Sequence, residues 1–352
     1  MIMEKQSWTP SVLPQELAAW DDGRLDITRE QVHEDYPTAE SLRLAVSSAE
    51  PIIVDLPDGR QTIYYYFAHP DGGDRRTVVH FQPVANGLKP QAVPRIAAIQ
   101  RLTATNVLFM PQNSTTLTAS ELNQLRKGNF GPLADQRLFS LKHAHDLGHV
   151  SMDALNLDGY SWGATEVSAL IKKMPDSGEI DSAVLAEPAN IIKRSLGRLG
   201  FDFASPSSSK LLDAVRMSSD PALIELWGAG DIPSSFMEDD ITSFAKDLLR
   251  PANLVGIAGL RYPGFANDVI AGLSAFRENS RLLLGKDRNS ILTPISAFGR
   301  QVAQIGRAAM DLGLPDIFLN VTYISTEQGL GHASGDNPYI RATLIRMALQ
   351  AA

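Results

Sequence analysis

The sequence predicts an α/β fold: a mostly parallel sheet flanked by helices, with a helical segment inserted before the last strands. Three observations predict it. Short apolar runs alternate with helix-length segments from about residue 77 to 190, as a parallel sheet covered on both faces requires. A hairpin signal stands just before them. Between about 190 and 265 the strand signal fades, and it returns near 281. A chain of 352 residues suits one large domain with an insertion. The expected organisation is a helical N-terminal extension over 1–50, a core over 51–190 and 265–352, and a helical cap over 191–264.

In order, Thr28-x-x-Gln31 and Thr38 are N-cap signals for short helices in the extension. Pro51–Leu56 and Gln61–Phe67 are β-rich and flank Pro57-Asp58-Gly59, a hairpin turn. Asp71-Gly72-Gly73-Asp74 turns the chain into the strand Thr77-Val-Val-His-Phe81. Pro94–Thr103 is helical by period, with its proline in the first turn where the missing N–H is harmless. Asn106–Met110 follows as a buried strand, then helices over Thr118–Arg126 and Leu138–Val150. Ala154–Asp158 is the next strand, Gly163–Lys173 a helix and Ser182–Ala186 a strand. Leu211–Met217, Pro221–Trp227 and Ile241–Leu249 are short helices separated by Ser- and Pro-containing turns. Strands return at Arg281–Leu284 and Asp316–Tyr323, and a helix from Tyr339 closes the chain.

Composition narrows the function. With 32 Lys+Arg against 40 Asp+Glu, the net charge of −8 argues against nucleic acid or an anionic membrane surface as partner. Cysteine is absent, which removes disulfides, thiolate metal sites and a cysteine nucleophile. The first 18 residues lack the apolar core and cleavage site of a signal peptide, and no stretch has the apolar length of a membrane span. The expectation is a soluble protein, cytoplasmic by default.

The chemistry centres on Gly159-Tyr160-Ser161-Trp162-Gly163, a G-x-S-x-G pattern. A serine on a sharp strand-to-helix turn needs small neighbours, and the following helix aims its N-terminal N–H groups at developing negative charge. The pattern alone is a weak signal, but here it follows an apolar strand and opens a helix. A serine nucleophile needs a base, and histidine is the usual one near neutral pH. Of the seven histidines, His332 alone lies C-terminal to Ser161, in a glycine-rich turn before the last helix. With the partners in the order Ser, acid, His, the acid belongs on a loop after a late strand. Asp287 sits there, just past 281–284, and Glu187, after 182–186, is the alternative acid.

These residues give the chain its resemblance to the α/β-hydrolase superfamily. The likeness rests on the early hairpin, the third strand ending His80-Phe81-Gln82-Pro83, the Gly-Tyr-Ser-Trp-Gly elbow, Gly285-Lys286-Asp287 and Gly331-His332. It covers about 51–190 and 265–350. The resemblance implies Ser161 as nucleophile, Asp287 as acid and His332 as base. It also implies an oxyanion hole from the backbone N–H of Trp162 and one from the loop after the third strand. That donor is Gln82, or Phe81 if the loop runs one residue differently, because Phe81 stands where many members have glycine. The expected reaction is hydrolysis of a small-molecule carboxylic ester, ahead of an amide, with no cofactor and no metal. The apolar residues of 191–264, among them Leu223, Trp227 and Phe244, form either a small helical core or a lid that favours a substrate with an apolar portion.

Two rival readings remain open from sequence. One is a hydrolase-like module that binds without catalysis, which the Phe81 departure favours. The other is a metal hydrolase using His143-x-His145-Asp146-x-x-His149, with His145 and His149 at i,i+4 on one helix face. A solvated helix face explains that cluster more simply.

Overall fold

The computed structural model describes residues 49–69, 71–73, 75–83, 92–112, 117–195, 197–198, 251–287, 290, 293–314, 318–324 and 338–349. The expected N-terminal extension, most of the expected cap and His332 lie outside them. The strands are β1 (Ile52–Asp55), β2 (Gln61–Phe67), β3 (Thr77–Phe81), β4 (Asn106–Met110), β5 (Leu155–Tyr160), β6 (Ile180–Ala186), β7 (Phe276–Asp287) and β8 (Leu319–Ile324). They form one eight-stranded sheet in the order β1-β2-β4-β3-β5-β6-β7-β8. The β1–β2 and β2–β4 pairs are antiparallel and every later pair is parallel.

The hairpin forms where the Pro-Asp-Gly turn predicts it. Gly59 takes a left-handed φ of 81°, and its N–H donates to the Leu56 carbonyl at 2.9 Å. The described helices are α1 (Ala92–Thr103), α2 (Ala119–Arg126), α3 (Gly131–Asp146), α4 (Trp162–Ile171), α5 (Pro251–Gly259), α6 (Phe265–Ala271), α7 (Ile295–Asp311) and α8 (Pro338–Leu349). Thr118 caps α2 through a capping box with Glu121, as the Thr118 start implies.

The strands are apolar along their length because both faces are covered. On one face Val79, Phe81, Leu155 and Leu157 pack with α3, α4, α6 and α7. On the other, Val78, Val107, Phe109, Tyr160 and Val184 pack with α1 and α8. The strand order also places the site. From β3 the chain crosses to β4 on one side, and from β5 it crosses to β6 on the other. The carboxyl ends of β3 and β5 therefore flank a point where the winding reverses, and such points open a crevice for a ligand. Gln82 follows β3 and Ser161 follows β5.

Several boundaries differ from the sequence reading. Helix α3 starts at Gly131 and stops at Asp146, because Gly148 adopts φ 74°. The Gly148 N–H then donates to His145 and the His149 N–H to Ala144, closing the helix end. His149 thus lies beyond the helix, so His145 and His149 do not share a helical face. Strand β7 is longer than expected and carries Asp287 as its last residue. Helix α7, with a strongly amphipathic pattern, escaped the reading altogether.

Candidate active site

Ser161 caps α4 with φ 56° and ψ −116°, a left-handed backbone that a serine rarely adopts. Close packing holds it there. A Cβ on Gly159 would stand 2.5 Å from the Gly163 carbonyl oxygen. A Cβ on Gly163 would stand 2.4 Å from the Phe81 carbonyl oxygen and 2.9 Å from that of Gln82. Both elbow glycines are therefore demanded by backbone contact, and the second presses the first turn of α4 against the chain leaving β3. The Ser161 N–H donates to Ala186 O at 2.9 Å, which ties the elbow to the end of β6. Trp162 is the first helical residue, so its N–H belongs to a first turn without intrahelical partners.

The Trp162 ring is fixed from three sides. Its Nε1–H donates to Glu166 at 2.6 Å, and Arg137 donates to the other oxygen of the same carboxylate at 3.0 Å. Phe130 meets the ring edge-on at 5.5 Å. A Cβ on Gly256 in α5 would fall 1.7 Å from Cη2 of the indole. Arg137 also donates to Pro111 O at 2.6 Å, next to the end of β4. Beside it, Gln112 donates to Asn253 of α5 at 2.9 Å. Thr165 on α4 donates to Asn190 at 3.0 Å. None of these partners carried a motif. The only sequence signal was charge at a position whose helical neighbours are apolar, as with Glu166.

The two acids named from sequence meet. Glu187 and Asp287 are both fully buried at the carboxyl ends of the adjacent strands β6 and β7. The Asp287 N–H donates to Glu187 Oε1. Glu187 itself has φ 52°, and its N–H donates to Gly285 O at 2.9 Å. Lys286, also fully buried, donates from Nζ to the Asp287 carbonyl. Glu187 thus stands where it supports the backbone of Asp287.

On the other side of the elbow, Gln82 is 1% exposed. Its backbone N–H donates to Met110 O at 3.4 Å, and among the described residues neither atom of its side-chain amide has a hydrogen-bond partner. A buried polar group left so costs about 1–3 kcal/mol. Phe81, the other candidate donor, is the last residue of β3, with its side chain in the core.

The histidines divide. His143 and His149 each direct Nδ1 at the Tyr64 hydroxyl, at 3.3 and 3.4 Å, while His145 Nδ1 donates to Val150 O at 3.1 Å. Burial pushes the Tyr64 phenol up to about 12, so the hydroxyl stays neutral between them. Among the described residues no group of three His, Cys, Asp or Glu is placed to hold a metal ion. Nor is any described helix long and apolar enough to cross a membrane.

No protein-family profile matches the sequence, and no curated protein matches it. Solved structures do. A chain assigned as an aryl esterase in Burkholderia cenocepacia shares a TM-score of 0.51 at 16% identity, over 86% of this chain and 100% of that one. An alpha/beta hydrolase fold protein from Chitinophaga pinensis gives 0.46 at 12%, over 87% and 98%. An esterase from Pyrobaculum calidifontis gives 0.43 at 13%, over 98% and 96%. The strand order, the switch point between β3 and β5 and the strained serine between two glycines, together with the likeness to the first of these structures, have one meaning: this chain has the α/β-hydrolase fold.

Proposed function

We propose that the protein is a serine hydrolase that cleaves a carboxylic ester, ahead of an amide, through an acyl-enzyme. Ser161 Oγ attacks the substrate carbonyl carbon while His332 takes its proton, and the carbonyl electron pair moves onto oxygen. The tetrahedral intermediate collapses as the bond to the alcohol breaks and His332 returns the proton to the leaving oxygen. Water then repeats the sequence on the acyl-enzyme, releasing the acid. Asp287 holds the His332 imidazole in the required tautomer and stabilises its protonated form. The oxyanion is met by the Trp162 N–H on one side and by Gln82 on the other, each donor being worth on the order of 3 kcal/mol. No step calls for a metal or an organic cofactor.

The observation that carries this reading is the backbone of Ser161. A non-glycine residue at φ 56° costs energy, and here the surrounding contacts enforce it at the head of a helix. An ordinary turn has no use for that strain, whereas a nucleophile does. The apolar residues expected over 191–264 favour a substrate with an apolar acyl or alcohol portion.

The test is hydrolysis of p-nitrophenyl esters from acetate to long chains, with Ser161→Ala beside the wild type, together with labelling by a fluorophosphonate. Activity and labelling should both vanish in the variant, and the chain-length profile measures the pocket. Activity that survives Ser161→Ala would overturn the assignment. A wild type inert to both reagents would leave a binding module in its place.

A further inference from the structure

We infer that the side-chain amide of Gln82, rather than its backbone N–H, supplies the second oxyanion donor. The inference rests on the acyl-enzyme reading above and names the atom that the reading leaves open. The backbone N–H is already directed at the Met110 carbonyl, at 3.4 Å, as the continuation of the β3–β4 pairing. Turning it to a substrate would break that bond at the end of the sheet. The amide is in the opposite condition. Its Nε2 and Oε1 are both buried, and among the described residues neither has a hydrogen-bond partner.

Place completes the argument. The Gln82 backbone touches the first turn of α4, since its carbonyl oxygen would lie 2.9 Å from a Cβ on Gly163. The amide therefore starts one backbone contact away from the elbow and at the winding reversal between β3 and β5. A desolvated N–H donor in such a site strengthens as charge develops on a nearby oxygen, because no water competes for it. The Phe81 departure also acquires a meaning. A phenylalanine committed to the core leaves the next residue to provide the donor, and a glutamine provides it from its side chain.

The experiment compares Gln82→Leu, Gln82→Met and Gln82→Asn with the wild type. It reads kcat and KM on p-nitrophenyl acetate, the rate of fluorophosphonate labelling of Ser161, and Tm. Leucine and methionine fill similar space without a donor. They should lower kcat and the labelling rate by about 10²- to 10³-fold, with KM changed by no more than about threefold. Tm should hold or rise in both, because two unsatisfied buried atoms disappear. Asparagine, which keeps the amide on a shorter arm, should recover part of the rate. A Gln82→Leu enzyme within about threefold of wild-type kcat overturns the inference and returns the role to the backbone. Loss of kcat accompanied by a lower Tm in both Leu and Met variants also overturns it, since that marks a packing residue. A wild type unreactive at Ser161 overturns the acyl-enzyme reading itself, and a reactive one with Gln82→Leu unaffected overturns only the inference.

Discussion

Asp158 Oδ2 lies 2.5 Å from His80 Nδ1 and accepts a hydrogen bond from Arg341 Nε at 3.0 Å. One carboxylate thereby joins β3, β5 and α8. All three side chains are essentially without solvent contact. Arg341 also lies 5.8 Å over the Tyr160 ring, and its second nitrogen pairs with Asp158 Oδ1. The strand that leads into the elbow, the strand that leads to Gln82 and the helix that follows His332 in sequence are locked at a single point.

Breaking that point should be costly in one direction and cheap in another. Asp158→Asn leaves the buried Arg341 guanidinium without its counter-charge, and a drop of about 3–5 kcal/mol in stability is expected. Asp158→Leu combined with Arg341→Met removes both charges and should return most of the loss. Urea unfolding of the three proteins measures this. An Asp158→Asn protein as stable as the wild type would show that the carboxylate does not compensate the arginine.

The same site sets a pH dependence. Burial pushes the His80 pKa below the ordinary 6.5, an effect that Asp158 opposes and that Arg341 and Arg95 reinforce. The folded state therefore holds a neutral imidazole at a pH where the unfolded chain already binds a proton. The stability this contributes is fully present above about 6.5 and is lost as pH falls through the lower folded value. Tm should decline as pH falls below about 6.5, and His80→Gln should flatten the decline. His69 and His149 are lowered by burial in the same sense, so the slope is reduced, not abolished.

Glycine positions give a third expectation. Gly163→Ala places a methyl 2.4 Å from the Phe81 carbonyl, and Gly256→Ala places one 1.7 Å from the Trp162 indole. The first pushes on backbone at the elbow and should remove activity together with several degrees of Tm. The second pushes on a ring held by Glu166, and its effect on Tm should be partly relieved by Trp162→Phe, which frees that space. Calorimetry on the single and double variants separates the two cases, and an additive double variant would show that Gly256 and Trp162 are not in contact.

Much of this arrangement was legible because local rules and the fold agree. Pro57-Asp58-Gly59 gave the hairpin, the helical pattern over Thr118–Arg126 gave α2, and Gly159 and Gly163 gave the elbow. What sequence hid was long-range pairing. Asp158 and His80 sit in apolar strands, where a charged residue signals a partner without naming it, and Arg341 lies 183 positions from Asp158. The end of α3 at Asp146 escapes a sequence reading because 138–150 keeps a helical period, while the left-handed Gly148 decides the stop. Asp287 and Glu187 looked like rivals because strand adjacency, which puts them in contact, is a property of the sheet and not of either segment.

That contact separates their roles. If Asp287 orients the His332 imidazole, Asp287→Asn should lower kcat on the order of 10⁴-fold with little change in Tm, because an amide favours the wrong tautomer. Glu187→Gln keeps an oxygen that accepts the Asp287 N–H, so its kcat should stay within about tenfold of the wild type. Glu187→Leu removes that acceptor and strands a buried N–H, and Tm should fall by an amount reflecting about 1–3 kcal/mol. The decisive comparison is between the two carboxamides. A Glu187→Gln enzyme disabled as deeply as Asp287→Asn was expected to be, with Asp287→Asn still active, would move the acid from β7 to β6. The Asp287 N–H would then be positioning Glu187, with the hydrogen bond between them unchanged and its direction of support reversed.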